Sequence, residues 1–437
     1  MTENIQTLYR KVLLRFIPFL IVCFVFAYFN RVNISFAKLE MQSDLGFSDA
    51  AYGLGASIFF VGYFLFEVPS NLILHRVGAR RWIARIMITW GVVSASMMFV
   101  TTETQFYVVR FLIGVAEAGF LPGVVLYLTY WFPARERAKV NSVFFTAIAI
   151  SGVIGGPVSG FVISQMHSFM GLRGWQWLFL IEGLPCVLLG LICLRFLDDG
   201  IDAARWLTHQ EKILLRKNLD TTKDAQATHS VAHLFRRPEV LLLSVLYILM
   251  LMGLYGFTFW APQLIKNSGV SDPFNVGLLS AIPYAAAGIA MVWVGRHSDQ
   301  TGERKWHMAL CVLLGALGYL LSGLFAQSTL LSMTALTLAA IGVIACLSVF
   351  WTMPPRMMAG AAAAGGIAFI NSMGNLGGVI SPYMVGKVVS VTHSPVYGLY
   401  AIAAASLLAF IMIVWMIPAH LISREPKASS DNPSDNF

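Results

Sequence analysis

The loop sequence HRVGARRW, from His75 to Trp82, occurs a second time in altered form as DQTGERKW, from Asp299 to Trp306. Each copy lies between two long apolar stretches, and the second copy begins 224 residues after the first. The copies share a glycine, two cationic residues and a tryptophan: Gly78, Arg80, Arg81 and Trp82 match Gly302, Arg304, Lys305 and Trp306. An offset of about half the chain predicts two repeated halves related by an axis along a membrane normal. The glycine permits a tight turn whose cations pair with acids or helix ends, although contact with a ligand is the alternative.

The composition is that of a protein that crosses a membrane many times. Of the 437 residues, 57% are hydrophobic and 12% are charged, whereas soluble proteins carry about 25% charged residues. The basic N-terminus runs directly into an apolar span, so no cleaved signal peptide is expected. All five cysteines fall in apolar segments, which predicts core residues rather than a disulfide or metal framework.

A membrane helix needs about 20 apolar residues, and the sequence predicts an all-α integral membrane protein with twelve of them. The halves are residues 1–197 and 239–423, joined by a cytoplasmic linker at 198–238 that contains a short surface helix. A disordered tail is expected at 424–437. The predicted spans are 16–38, 50–73, 82–102, 105–130, 140–165, 176–197, 239–265, 274–296, 306–326, 329–353, 362–389 and 395–418.

The distribution of Lys and Arg predicts the orientation. Most of the 30 cationic residues fall in the termini and loops of one side, Arg356 among them. The opposite loops hold Lys38, Arg173, Lys266 and Lys387. Because cationic loops stay in the cytoplasm, both termini are expected inside a plasma (inner) membrane. The net charge of +8 is therefore a topology signal, and no nucleic-acid partner is expected.

Three charges interrupt the apolar spans: Arg31, Arg110 and Glu117. A charge at bilayer depth costs at least ~2.5–3.5 kcal/mol and usually faces a bundle interior or watery cavity. Arg110 and Glu117, seven residues apart, share one helix face about 10 Å apart along the axis. We predict that Arg31 and Arg110 bind a carboxylate and that Glu117 carries a proton. The alternatives are a permanent Arg31–Glu117 ion pair and a purely local role for Arg110.

Weaker candidates are neutral or lie toward the span ends. In the second half, Asn371 and Trp351 are predicted to contact substrate, ahead of Asn375, Ser348, Tyr255 and Gln263. Glu67 allows three roles: a second proton site, a gate, or a bond to the loop after its span. Glu182 is expected to be structural.

Several strings resemble the major facilitator superfamily and, within it, the anion:cation symporter family. Besides the repeated loop motif, they are NRVNISFA (Asn30 to Ala37), FEVPSN (Phe66 to Asn71), RFLIGVAEAGFLP (Arg110 to Pro122), YWFP (Tyr130 to Pro133) and GWQWLFLIEGLP (Gly174 to Pro185). The resemblance covers nearly the whole chain. It implies proton-driven import of small organic anions such as galactonate, rhamnonate, tartrate, phthalate or hydroxyphenylacetate.

The resemblance also implies site residues. It places Tyr28 and Tyr63 around the substrate, and Asn30 joins them as a candidate contact. The family commonly has Asp before the first-helix arginine, and that Asp is a protonation site in the galactonate carrier. Asn30 cannot titrate, which leaves Glu117 as the proton carrier of this pair.

The expected function is therefore symport of a small carboxylate with protons by alternating access, without metal or cofactor, in a monomer. An anion exchanger or uniporter is the alternative, because Asn30 removes one acid. An intramembrane enzyme is disfavoured, since no metal-binding or nucleophile motif and no Walker loop is present. A channel is disfavoured because no filter-like segment accompanies the repeat.

Overall fold

The computed structural model describes residues 2–220, 237–354 and 360–417. Arg356, part of the linker, the tail and the side chain of His75 lie outside the described residues. Fourteen helices of more than one turn occur in the described ranges: α1 Thr2–Leu45, α2 Asp49–Val77, α3 Ala79–Ser96, α4 Glu103–Glu117, α5 Phe120–Thr129, α6 Ala134–Gln165, α7 Gly174–Phe196, α8 His209–Asp220, α9 Pro238–Asn267, α10 Pro273–Thr301, α11 Lys305–Leu324, α12 Thr329–Phe350, α13 Gly360–Thr392 and α14 Pro395–Trp415.

The predicted all-helical membrane fold is confirmed. Eleven spans in the described part of the chain are long and apolar enough to cross a membrane, with α4 and α5 forming one of them. The remaining predicted span, 362–389, lies within α13. The predicted linker helix corresponds to α8.

The repeated loop motif forms two tight turns. Gly78 has a φ of +94° between α2 and α3, and Gly302 has a φ of +70° between α10 and α11. Both conformations are ones that glycine adopts readily. Arg80 pairs with Asp199 at 3.2 Å and Arg304 pairs with Asp299 at 3.0 Å. These pairs give the motif the structural contacts that the sequence suggested.

The fourth predicted span, 105–130, is not one continuous helix. It ends as α4 at Glu117 and resumes as α5 at Phe120, because Gly119 has a φ of +87°. A side chain at Gly119 would meet α2, since an added Cβ would lie 2.8 Å from the Cβ of Ser70. The break therefore depends on a glycine that packs against the FEVPSN segment.

Two helix pairs form the seams between the halves, α2 with α13 and α6 with α10. Where α1 ends and α2 begins, backbones approach closely, and a Cβ added at Gly53 would lie 3.0 Å from the Cα of Gly386. At the same end, Tyr52 Oη donates to Phe259 O at 2.9 Å and Lys266 Nζ donates to Leu39 O at 3.0 Å. We call this the closed end.

Farther along the second seam, α6 and α10 separate. A cavity of about 680 Å³ lies between them, lined by Ile154 and Tyr284 at its inner limit and by Trp293 and Arg296 toward the C-terminal end of α10. The two halves are thus in contact at the closed end, and a cleft open to the protein surface lies between α6 and α10 farther along this seam.

Candidate functional site

Arg31 and Glu117 form a buried ion pair that joins α1 to the break between α4 and α5. Arg31 Nε donates to Glu117 Oε1 at 3.1 Å, and Nη2 contacts the same oxygen. The Glu117 side chain is 2% exposed and the Arg31 side chain 18%. The ion pair is therefore formed through Oε1 alone, and Oε2 has no hydrogen-bond partner in the described ranges.

Arg110 is fully buried and forms no ion pair with an acid of the described residues, although Glu117 interacts with it at longer range. Its Nε donates to Gly55 O at 3.2 Å. Both of its Nη atoms lack a hydrogen-bond partner among the described residues. A buried cation without a counter-ion is costly, and a planar guanidinium fits a carboxylate through two parallel hydrogen bonds. The arrangement therefore suits an anion that supplies the missing acceptors.

Phe59 brings the two arginines together. The Arg31 guanidinium carbon lies 5.6 Å from the centre of the Phe59 ring, and that of Arg110 lies 4.9 Å from it. Tyr63 lies one turn along α2, and its ring centre is 5.3 Å from the Arg31 guanidinium carbon. The structure thus gathers Arg31, Arg110, Glu117 and Tyr63 into one cluster, which we call the arginine cluster.

The second half contributes Tyr255 to this cluster. Its phenol interacts with the Arg31 guanidinium, and its ring centre lies 4.4 Å from that of Phe60. The sequence marked Tyr255 only as one of several polar residues at membrane depth. Its contact with Arg31 depends on how the halves meet, which no local pattern encodes.

Tyr28 lies beside the arginine cluster at the seam. It interacts with Tyr284 and Thr258 of the second half, and Tyr284 Oη donates to Thr258 Oγ1 at 3.3 Å. Tyr28 also lines a small cavity of about 20 Å³ with Ser35. Its position between the halves is compatible with the predicted substrate contact.

Asn30, predicted to contact substrate, faces away from the arginine cluster in this structure. Its Nδ2 donates to Phe26 O at 2.9 Å and to Glu182 O at 2.7 Å, and its Oδ1 accepts from Ser94. Successive residues of a helix point about 100° apart, so Asn30 faces α3 and α7 while Arg31 faces the seam. The contacts of Asn30 are therefore those of a packing residue of the first half, and its predicted contact with substrate stays a prediction.

Trp351 and Asn371 contact neighbours of the arginine cluster rather than its arginines. Trp351 packs on Tyr247, with ring centres 5.0 Å apart. Asn371 donates to Glu67 Oε1 at 3.5 Å. Glu182 is buried and accepts from Ser159 at 2.7 Å, within the first half. In the described part of the chain, Trp351 and Asn371 therefore contact other groups than Arg31.

Sequence reasoning missed a second group of charges, at the closed end. Lys38, expected in a loop, lies inside α1 because that helix continues to Leu45. Its fully buried side chain pairs with Asp49 at 2.7 Å, and its Nζ lies 3.7 Å from the ring centre of Trp260. The ring centre of Tyr52 lies 4.7 Å from the same Nζ, and the Tyr52 and Trp260 rings pack edge to face with centres 5.5 Å apart. We call Lys38, Asp49, Tyr52 and Trp260 the end cluster.

Comparison with known proteins adds the family and the fold. The sequence profile described as Major Facilitator Superfamily matches residues 20–382 and, in a second match, 270–435. A protein of Agrobacterium vitis with the provisional name of a tartrate transporter is 48% identical over 405 residues, 92% of this chain and 90% of that one. The metabolite transport protein NicT of Pseudomonas putida, also provisionally named, is 43% identical over 96% of each chain. The crystal structure of a bacterial homologue of the human lysosomal transporter Spinster, inward-facing and occupied, superposes with a TM-score of 0.78 at 16% identity, over 96% of this chain and 99% of that one.

Proposed function

Because this chain belongs to the Major Facilitator Superfamily, we propose that it imports a small organic anion together with protons by alternating access. It is a multi-pass membrane protein and a transporter, not an enzyme. What the family does not specify is the substrate and the coupling ion, and for these the arginine cluster supplies the argument.

The observation that carries the proposal is the unequal pairing of the two arginines. Arg31 already has Glu117 as its counter-ion, whereas neither Nη atom of Arg110 has a hydrogen-bond partner within the described part of the chain. A carboxylate bound to Arg110 can also reach Arg31, since both lie on Phe59. There it competes with Glu117 for the guanidinium.

Competition for Arg31 couples the anion to a proton. Once the substrate takes Arg31, Glu117 is a buried acid without its cation, and burial favours the protonated form. Binding of the anion thereby promotes binding of a proton, and the reverse holds by linkage. Release of the anion restores the Arg31–Glu117 pair and expels the proton.

The substrate class follows from the same groups. Two guanidinium groups select a carboxylate, and Tyr63, Tyr28 and Tyr255 offer hydroxyl groups and ring faces to the rest of the molecule. Hydroxy acids such as tartrate suit this mixture, and a relative bears that name. Sugar acids and aromatic acids are the other members of the class.

Orientation and organisation belong to the proposal. Both termini and the 198–238 linker lie in the cytoplasm of a plasma membrane, as cationic loops require, and the transporting unit is a monomer. The halves 1–197 and 239–423 then rock about the arginine cluster. The closed end faces outward, which corresponds to an inward-facing form.

The test begins with a screen of carboxylates for thermal stabilisation of the purified protein, since a ligand at ~100 times its dissociation constant adds ~2.7 kcal/mol. The best ligand is then used in proteoliposomes. Uptake driven by an inward proton gradient is expected in the wild type and in Glu182→Gln, a matched buried acid, and is lost in Glu117→Gln. Uptake indifferent to the gradient in the wild type would refute symport.

An exchanger or uniporter is the second candidate. It is favoured by Asn30, which cannot titrate and stands where the family commonly has a protonatable Asp. It predicts that internal anion alone stimulates uptake. If Glu117→Gln loses gradient-driven uptake but keeps counterflow, Glu117 is the proton carrier. The exchange of anions then does not require that proton.

A further inference from the structure

Glu67 is a buried carboxyl of α2 that faces the opposite half. It is 4% exposed. Its Oε2 accepts from Ser372 Oγ at 2.7 Å, and its Oε1 accepts from Asn371 Nδ2 at 3.5 Å, both on α13. No bond from Glu67 to the loop after α2 occurs among the described residues. The contact with α13 therefore favours a role for Glu67 as a second proton site or as a gate between the halves.

The partners of Glu67 suit either protonation state. No lysine or arginine lies within ion-pair distance of it in the described ranges. A serine hydroxyl can donate or accept a hydrogen bond, and an asparagine side chain offers both an amide donor and a carbonyl acceptor. A cationic partner would fix the ionised form, whereas Ser372 and Asn371 can accept the proton of a neutral Glu67 as well.

The charged and titratable groups that act on Glu67 come from three helices. Arg31 acts from α1, Tyr63 from the same face of α2 one turn away, and Tyr247 from α9. Arg31 is the only cation of the three, and it favours ionised Glu67. A carboxylate bound to Arg31 would cancel that influence and favour protonation.

We propose that Glu67 is a second proton-binding site, distinct from Glu117, and that its proton changes the contact of α2 with α13 between the halves. Ionised Glu67 accepts hydrogen bonds from Ser372 and Asn371. Neutral Glu67 donates its own proton to one of them, so that partner must turn or release. The link to substrate binding rests on the proposed function, through Arg31; the proton site itself does not.

The direct test is infrared difference spectroscopy against pH on the purified full chain in nanodiscs, without substrate. The wild type is expected to show a protonated-carboxyl band that disappears as the pH rises. Glu67→Gln removes this band, Ser372→Ala shifts its frequency, and Glu182→Gln retains it. A Glu67→Gln spectrum identical to that of the wild type at every pH would overturn the proposal.

The same spectra separate this proposal from the function. A band lost in Glu67→Gln but unaffected by Glu117→Gln supports the second site, whatever Glu117 does. The contact is tested by spin labels at Val77 and Trp306, which are 43% and 52% exposed and lie in opposite halves. In a Glu117→Gln background the label separation is expected to change with pH, and Glu67→Gln abolishes the change. A pH response that survives Glu67→Gln would refute the effect on the seam.

Discussion

Glu117 is the last residue of α4, and Gly119, two residues later, turns the chain with a φ of +87°. The acid that pairs with Arg31 therefore lies at a discontinuity in a membrane span. Transporter sites are often built at such breaks, where irregular backbone lines a protein interior. The position of the carboxyl depends on the turn as much as on its ion pair.

Replacement of Gly119 by alanine is expected to lower both thermal stability and uptake. A left-handed conformation costs an alanine roughly 1–2 kcal/mol, and at this position the new Cβ also meets Ser70. Gly171→Ala is the matched control, because Gly171 has a φ of +78° and nothing within 4 Å of an added Cβ. Equal losses in the two variants would show that the contact with α2 is unimportant.

The two arginines are expected to differ in sign when each is replaced by methionine. Arg110→Met removes a buried cation whose two Nη atoms lack hydrogen-bond partners among the described residues, so it should leave the free energy of unfolding unchanged or raise it, while stabilisation by carboxylates disappears. Arg31→Met leaves Glu117 without its cation and should lower it by up to ~3–5 kcal/mol. Thermal unfolding with and without ligand measures both. A large loss of stability in Arg110→Met would show that Gly55 O and the nearby Glu117 already compensate the charge of Arg110.

The end cluster is expected to hold the closed end together. Trp260→Leu removes a buried cation–π contact worth ~2 kcal/mol, which should raise access to the closed end roughly thirtyfold. The measurement is the labelling rate of Ser35→Cys by an impermeant maleimide, in a chain whose five native cysteines are replaced. Trp415→Leu, at a 71% exposed tryptophan, serves as the control. Equal rates in the two variants would remove Trp260 from the closure.

The turn after α10 gives a pH prediction. Glu303 accepts from the backbone of Trp306 at 2.7 Å and from His307 Nδ1 at 2.7 Å. Burial raises the pKa of Glu303, but these hydrogen bonds outweigh burial and hold the pKa below its usual value of about 4.3. A depressed folded-state pKa contributes stability above the usual value and loses it as the pH falls through the folded-state value.

Glu303→Gln is therefore expected to lower Tm at neutral pH, and the difference from wild type should shrink in the acid range. Glu239→Gln, at an acid in the first turn of α9, provides a comparison at another helix start. A difference that stays constant down to the acid limit of the protein would show that the charge of Glu303 does not matter.

The sequence predicted the parts of this molecule that follow from hydropathy and local chemistry. Apolar length located the spans, and the repeated glycines located the turns at Gly78 and Gly302. The cost of a buried charge singled out Arg31, Arg110 and Glu117. What escaped prediction depends on which way a side chain points around its helix and on contacts distant in sequence. Asn30 faces α3 and α7 although Arg31 faces the seam. Lys38 of the first half contacts Trp260 of the second.

Helix boundaries were the other source of error. The turn at Gly119 looks like an interior residue of an apolar run, because nothing in hydropathy separates a tolerated glycine from one that ends a helix. Ser70, which makes that glycine necessary, lies about fifty residues earlier in the chain. The role of Glu67 likewise could not be read from its own segment, because its partner Ser372 lies more than three hundred residues later.

The glycine crossings at the closed end, such as Gly53 with Gly386, bring main chain against main chain. When such surfaces separate, no side chain has to change rotamer and little water has to enter, so these contacts contribute little to the barrier for opening. Resistance to opening is then concentrated in a few aromatic and charged side chains beside them. Turnover speed in this carrier would be tuned by exchanging those side chains, while the helical framework stays the same.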